Sequence, residues 1–486
     1  MLFNSYLFVF LFLPLAAAGY HLLNRRGLWR AANVFLVGMS LWFYGYANPV
    51  YLLLLCGSIL VNYLFVRLLQ RPAGQPARRG LLAAGIVLNA AALLYCKYFN
   101  FFLANLNRVF GTSFILQEIV LPLGISFFTF QQIAYLVDSY RGQTRGYRFD
   151  EYVLFVSFFP KLSQGPIALH QELMPQFRDP ARRQLIPENL ARGVYLFALG
   201  LSKKVILADT FGRAVEYGFG DINALSSLEA LIVSVCYTLQ LYFDFSGYCD
   251  MALGIGCLFN FDLPQNFDSP YQALSIPDFW NRWHMSLTRF LRTYIYFPLG
   301  GSRKGTLRTY LNIMIVFLVS GLWHGANWTF LVWGFLHGAL NCLHRALRKP
   351  WSRLHIVTQW LFTFFSVNLL WVIFRADSLS DALDFFRAMF RGASFEIQAR
   401  LYACFNLDEI VWLERALPGL KDLSLELPGL NLWLFLFAGF FIVLNLRNSS
   451  ERKFKPTPAT ALATALLLFW SIISLGSVST FLYFGF

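Results

Sequence analysis

The chain has 486 residues, 57% of them hydrophobic and only 14% charged, with a formal net charge of +14 and a mean hydropathy of +0.51. Soluble domains carry about 25% charged residues, so the deficit excludes an ordinary soluble enzyme. The basic excess does not suit nucleic acid either, because it sits in short loops between apolar runs. The 7 cysteines are scattered, mostly in apolar runs and with no C-x-x-C pair, which indicates neither a disulfide framework nor a zinc site.

Apolar runs of spanning length, roughly 20 residues each, recur from end to end and predict an all-α, polytopic membrane protein. The first begins at Leu2 with no Lys or Arg before it, and positive charge follows only at Arg25, Arg26 and Arg30. A cleavable signal has its charges in front, so residues 2–23 are expected to stay as a first helix with an outside N-terminus. Spans are expected at about 5–23, 29–47, 49–66, 80–97, 119–139, 190–208, 225–246, 309–324, 328–344, 356–374, 431–447 and 459–484. That is about 11–12 transmembrane helices. Alternation from an outside N-terminus puts three basic loops in the cytoplasm: 67–79, 345–353 and 447–455, the last with Arg447, Arg452, Lys453 and Lys455. The longest external loop, about 375–430, then holds nine acidic and six basic residues, a net of −3. The two signals agree.

Two apolar stretches fit poorly as simple spans. Residues 155–177 are broken by Pro160, Gly165, Pro166 and Pro175, and residues 245–267 are short, Gly-rich and acidic. Irregular backbone at membrane depth needs cover from protein or a water-filled cavity, so re-entrant or amphipathic segments around a central cavity are expected. With no internal repeat and no low-complexity linker, residues 1–486 read as one membrane domain with its core motifs at about 120–345.

Three segments carry candidate chemistry. LQLYFDFSGYCDMALGIG (239–256) places Asp244 and Asp250 among Tyr242, Tyr248 and Ser246, where structural pairing with an Arg or Tyr of a neighbouring helix is the favoured role. SIPDFWNRWHMSLTRFLRTYIYFPLGGSRKG (275–305) holds His284 with Arg282, Arg289 and Arg292. On one helix Trp280 and His284 would share a face. The basic residues there suit either anionic lipid head groups or a phosphate-rich donor, since guanidinium matches phosphate in a bidentate way. TYLNIMIVFLVSGLWHGANWTFLVWGFLHGAL (309–340) carries His324 in an otherwise spanning run. An ionisable residue at membrane depth is a functional candidate by default, with a satisfied interior histidine as the alternative. As an acid or base near working pH, His324 could take a proton from a hydroxyl nucleophile, and Gly325 would let substrate approach the backbone. Trp323 and Asn327 beside it are candidate donor contacts. His337 and His344 share a helix face, but no H-E-x-x-H pattern or nearby carboxylate accompanies them, so no metal site is expected.

Together, FWNRWHMSLTRFLRTYIYFPLGG, SGLWHGANWTFLVWGFLHG, LYFDFSGYCDMALGIG, PLGISFFTFQQIAYLVDSYRG (122–142) and the opening MLFNSYLFVFLFLPL resemble the membrane-bound O-acyltransferases. The likeness is to the bacterial alginate O-acetyltransferase branch, which includes the D-alanyl transferases of teichoic acid. It covers about 1–375 strongly. The resemblance implies transfer of an acyl group across a bacterial inner membrane to a cell-envelope glycan such as alginate. His324 matches the family's essential histidine and His284 the second polar position, filled by Asn or Asp elsewhere. It also implies acetyl-CoA as donor, no permanently bound cofactor, and a periplasmic partner. One departure is Ala168-Leu169-His170, where several relatives carry an Arg after Gly-Pro-Ile. A transporter of an acylated or lipid-linked glycan intermediate is the alternative from another class.

Overall fold

The computed structural model describes all residues except 47, 73, 120, 393, 408, 410–428, 450, 452–453, 477–479 and 483–486. Arg452 and Lys453 of the third basic loop, and much of the acidic external loop, therefore lie outside the described residues. Within these limits the regular structure is helical and no strand occurs.

The longer helices are α1 (Leu13–Arg25), α2 (Trp29–Gly45), α3 (Pro49–Gln70), α4 (Gln75–Phe110), α5 (Ile125–Tyr140), α6 (Pro187–Ser202), α7 (Ser227–Leu258), α8 (Ile276–Arg282), α9 (Met285–Leu291), α10 (Thr306–His324), α11 (Trp328–Ala346), α12 (Ile356–Arg375), α13 (Leu379–Phe390), α14 (Leu430–Asn445) and α15 (Pro458–Ile473). Among the described residues, 7 helices are long and apolar enough to cross a membrane. The other expected spans also form helices, but these are shorter, as in α2, α5 and α14, or more polar, as in α11. Their apolar faces still meet neighbours, because membrane helices bury against protein as well as lipid.

The chain divides into two compact units, one of residues 1–197 and 249–265 and the other of 198–248 and 266–486. In the first, Phe8, Phe12, Phe43 and Phe159 form an aromatic core with centroid separations of 5.2 to 6.2 Å. Several of its buried polar groups pair with each other. The Asn62 and Asn89 amides exchange hydrogen bonds at 3.1 and 2.7 Å, and the Lys161 ammonium donates to Gln131 at 2.8 Å. Such pairing is required where water is scarce, since an unmet polar group costs several kcal/mol there. The broken stretch 155–177 lies in this unit with several short helices, and residues 155–170 of it are almost wholly buried. Within it, buried His170 stands 3.4 Å from the Asp138 carboxylate, flanked by Tyr135 and Tyr147. The histidine at the departure from the family pattern therefore faces an acid.

The second unusual stretch differs from expectation. Residues 245–258 continue α7, a single 32-residue helix, and irregular chain begins only after Leu258. The glycines there serve close packing instead of breaking the helix. A Cβ on Gly254 would fall 2.6 Å from the Gly193 carbonyl, and one on Gly247 would fall 2.8 Å from that of Gly200. Asp244 on the same helix is buried against the Lys204 ammonium at 2.8 Å, and the Leu482 backbone N–H donates to it. The structural role is the expected one, but the partner is a lysine and not an Arg or Tyr.

In the second unit, α10 and α11 form a tight antiparallel pair joined by the short turn 325–327. A Cβ on Gly321 would lie 2.3 Å from the Phe330 carbonyl oxygen, and one on Gly334 would lie 2.5 Å from that of Phe317. Small residues at a crossing let two backbones approach within membrane helices. This crossing places the end of α10, and with it His324, against the first turns of α11.

Candidate functional site

His324 is the last residue of α10 and is 4% exposed. Three aromatic rings surround its imidazole edge-to-face: Trp323 at 4.9 Å, Trp333 at 5.2 Å and Phe374 at 5.2 Å between centroids. Trp333 comes from α11 and Phe374 from α12, so three helices fix one ring. The apolar walls exclude bulk water, which strengthens any charge interaction inside them.

His284 reaches the same cluster by another route. Its backbone is left-handed, with φ 45° and ψ 52°, a conformation that costs a non-glycine residue about 1 kcal/mol. Hydrogen bonds from the Met285 and Ser286 backbone N–H groups to Asn266 hold this turn. The turn ends α8 and starts α9, so the expected common face of Trp280 and His284 does not exist. The His284 ring packs on Phe245 at 4.8 Å and on Trp323 at 5.8 Å, whereas Trp280 points to Phe317, Trp333 and His337. Both histidines therefore flank the single ring of Trp323.

The other candidates sort differently. Gly325 has an extended backbone, and a Cβ there would lie 2.0 Å from the Phe330 ring. Its missing side chain makes room for Phe330, which packs on Phe374, and not for a substrate. Asn327 caps α11 by accepting from the Thr329 N–H, and its amide donates to the Asp377 carbonyl at 2.8 Å. Arg282 donates to Asp278 at 2.9 Å and stands 3.9 Å from Asp268. Glu451 joins this acidic group, its carboxyl pushed up to about 7 chiefly by a hydrogen bond with Asp268. Arg282 is thus already matched by acids. Arg289 is part-buried on α9, and Arg292 is exposed and donates to Asn281 at 2.9 Å.

A cavity of about 230 Å³ runs beside α10, lined by Arg292, Tyr296, Ile313, Phe317, Ser320 and Trp280 among others. A second, of about 600 Å³, shares Pro277, Asn281, Ile313 and Asn341 with it and adds His344, Arg345 and Arg348. Together they mark a track from a basic mouth to Ser320, one helical turn, about 6 Å, before His324. Trp280 stands at its inner wall and touches Trp333, which touches His324. Of the three arginines singled out in the sequence, Arg292 alone lines this track. Arg345 and Arg348 were legible only as a topology signal, because the fold, and not the motif, brings them to Asn281. The i, i+4 spacing of Trp333 and His337 in the W-G-F-L-H run was a readable sign that both face one side of α11.

The profile of MBOAT, the membrane-bound O-acyltransferase family, matches residues 101–377. The chain is 43% identical to a peptidoglycan O-acetyltransferase of Helicobacter pylori over 80% of both chains. It is 37% identical to a probable alginate O-acetylase of Pseudomonas putida over the full length of both. A more distant likeness, 28% over 46% of this chain and 56% of the other, is to a teichoic acid D-alanyltransferase of Streptococcus thermophilus.

Proposed function

Because the chain belongs to the membrane-bound O-acyltransferase family and is a multi-pass membrane enzyme, we propose that it moves an acetyl group from cytoplasmic acetyl-CoA to a hydroxyl of a cell-envelope or exported polysaccharide. The observation that carries this reading is the pair of histidines sharing Trp323, with a cavity reaching to within a turn of His324 from a basic mouth. The setting is a bacterial inner membrane. A periplasmic partner completes delivery to the glycan. The relatives' names, peptidoglycan and alginate, support a polysaccharide acceptor.

In the reaction the acceptor hydroxyl loses its proton to the His324 imidazole as its oxygen attacks the thioester carbonyl. The C–S bond then breaks, and the leaving thiolate takes up a proton, which leaves an O-acetyl ester and free thiol. His324 can instead accept the acetyl group on a ring nitrogen and pass it on in a second step. His284 also packs on Trp323, at 5.8 Å, where a ring N–H can hold the carbonyl oxygen as charge develops. The cage keeps water from competing with the hydroxyl.

Donor phosphates are assigned to Arg292, Arg345 and Arg348. A charge-assisted contact is worth about 1.5–3 kcal/mol, so Arg345→Ala and Arg348→Ala should each raise the KM for acetyl-CoA about ten-fold or more. Arg282→Ala should leave donor KM near wild type and lower thermal stability instead, since it strips a partner from Asp268 and Asp278. Steady-state assays with labelled acetyl-CoA on purified protein check both expectations. Equal donor KM in all three variants would mean that the mouth does not bind phosphate. If purified protein neither hydrolyses nor exchanges labelled acetyl-CoA, the donor assignment itself is wrong.

The topology assigned to this function puts Arg348 in the cytoplasm. A cysteine placed there should resist a membrane-impermeant maleimide in intact cells and react once the membrane is opened. Labelling in intact cells would invert the membrane orientation.

A further inference from the structure

His337 lies on α11 one turn beyond Trp333, fully buried, and neither the catalytic scheme nor the donor mouth uses it. Its Nδ1 lies 3.2 Å from the indole Nε1 of Trp280. An indole N–H only donates, so Nδ1 accepts and the neutral imidazole carries its proton on Nε2. A second proton would set two N–H groups against each other in a buried site. The bond therefore fixes both the tautomer of His337 and the rotation of the Trp280 ring.

That ring is the inner wall of the 230 Å³ cavity, and its other faces meet Phe317 at 5.3 Å and Trp333 at 5.6 Å. His337 itself packs on Trp333 at 4.9 Å, and Trp333 backs His324. Loss of the acceptor leaves a buried indole N–H unmet. The ring then turns to find another partner and reshapes the cavity where it approaches His324. We propose that His337 is a positioning residue of the transfer reaction. By accepting the Trp280 N–H, it holds the indole wall that guides the donor thioester to His324. The inference rests on the donor reading above.

The test is donor kinetics on purified protein for Trp280→Phe, His337→Phe, His337→Gln and the Trp280→Phe/His337→Phe double variant, joined to NMR of histidine-¹⁵N-labelled protein at neutral pH. Trp280→Phe and His337→Phe should each raise acetyl-CoA KM about ten-fold with a smaller change in kcat, and the double variant should be no worse than either. His337→Gln should recover most of the loss, because its amide oxygen can accept the same N–H. The ¹⁵N signal absent from His337→Gln should report the Nε2–H tautomer in wild type and a mixture of tautomers in Trp280→Phe. Multiplied KM effects in the double variant, or an unchanged KM in Trp280→Phe, would overturn the proposal. If His337→Phe does not fold, Trp280→Phe and His337→Gln still decide it. A protein that shows the predicted tautomer but does not use the thioester would refute the donor reading and leave the hydrogen bond standing. The opposite tautomer would refute the positioning role whatever the donor.

Discussion

Replacing His324 with alanine is expected to lower acyl transfer by roughly 10²–10⁴-fold, the usual cost of losing a general base. The residue is 4% exposed and held edge-to-face by Trp323, Trp333 and Phe374, so its ring is fixed where it can act. The remaining aromatic walls are expected to preserve folding, apart from a cavity cost of about 1–3 kcal/mol. His284→Asn should be milder. Asparagine tolerates the left-handed backbone found at position 284 and can still donate to a carbonyl oxygen. His284→Val should be worse than His284→Asn, because a β-branched residue resists that backbone. Glycan O-acetylation in cells, at matched membrane levels of each variant, reads all three. Wild-type acetylation in His324→Ala would return that histidine to a packing role.

Gly334→Ala is expected to be nearly as damaging without touching a reacting group. The added methyl would lie 2.5 Å from the Phe317 carbonyl, a backbone atom that cannot swing away. The α10–α11 crossing must open, at a cost of about 1–3 kcal/mol in stability. The same opening moves Trp333 on α11 relative to His324 on α10. A displacement near 1 Å in a catalytic array can cost about 10²-fold in rate. Gly57→Ala on α3 is the control, since a Cβ there meets nothing within 4 Å. It should be neutral or slightly stabilising, as alanine is the better helix former. Thermal unfolding in detergent and transfer rate, measured on both variants, separate crowding at the crossing from a general effect of replacing glycine. Wild-type activity in Gly334→Ala would show that the crossing has slack.

Much of this was legible in the sequence, because the bilayer imposes a strong code. Runs of spanning length marked each of the 7 long apolar helices, and His324 stood out as an ionisable group within one of them. The relation between His284 and Trp280 was not legible. Spacing of four implies a shared face only if the helix continues, and it ends at Arg282, before extended Trp283 and left-handed His284. Nothing local in R-W-H-M announces that turn; it is held from outside by Asn266. The glycines misled in two directions. Gly247 and Gly254 suggested a broken segment but sit in an unbroken helix, and Gly325 suggested room for substrate that Phe330 fills. A missing side chain says that something comes close without saying what. The proposed donor mouth was partly hidden for a similar reason. Arg345 and Arg348 are distant in sequence from Asn281 and meet it only through the packing of α8 against α11.

Covalent transfer at His324 is the step by which we propose that an acetyl group crosses the membrane. It is tested most directly in proteoliposomes with labelled acetyl-CoA on the face exposing Arg348 and an oligosaccharide acceptor on the other. Wild-type protein should leave labelled O-acetyl ester on the oligosaccharide, and His324→Ala should leave none at equal incorporation. Ester formed only when donor and acceptor share one side, or equal labelling by His324→Ala, would contradict it.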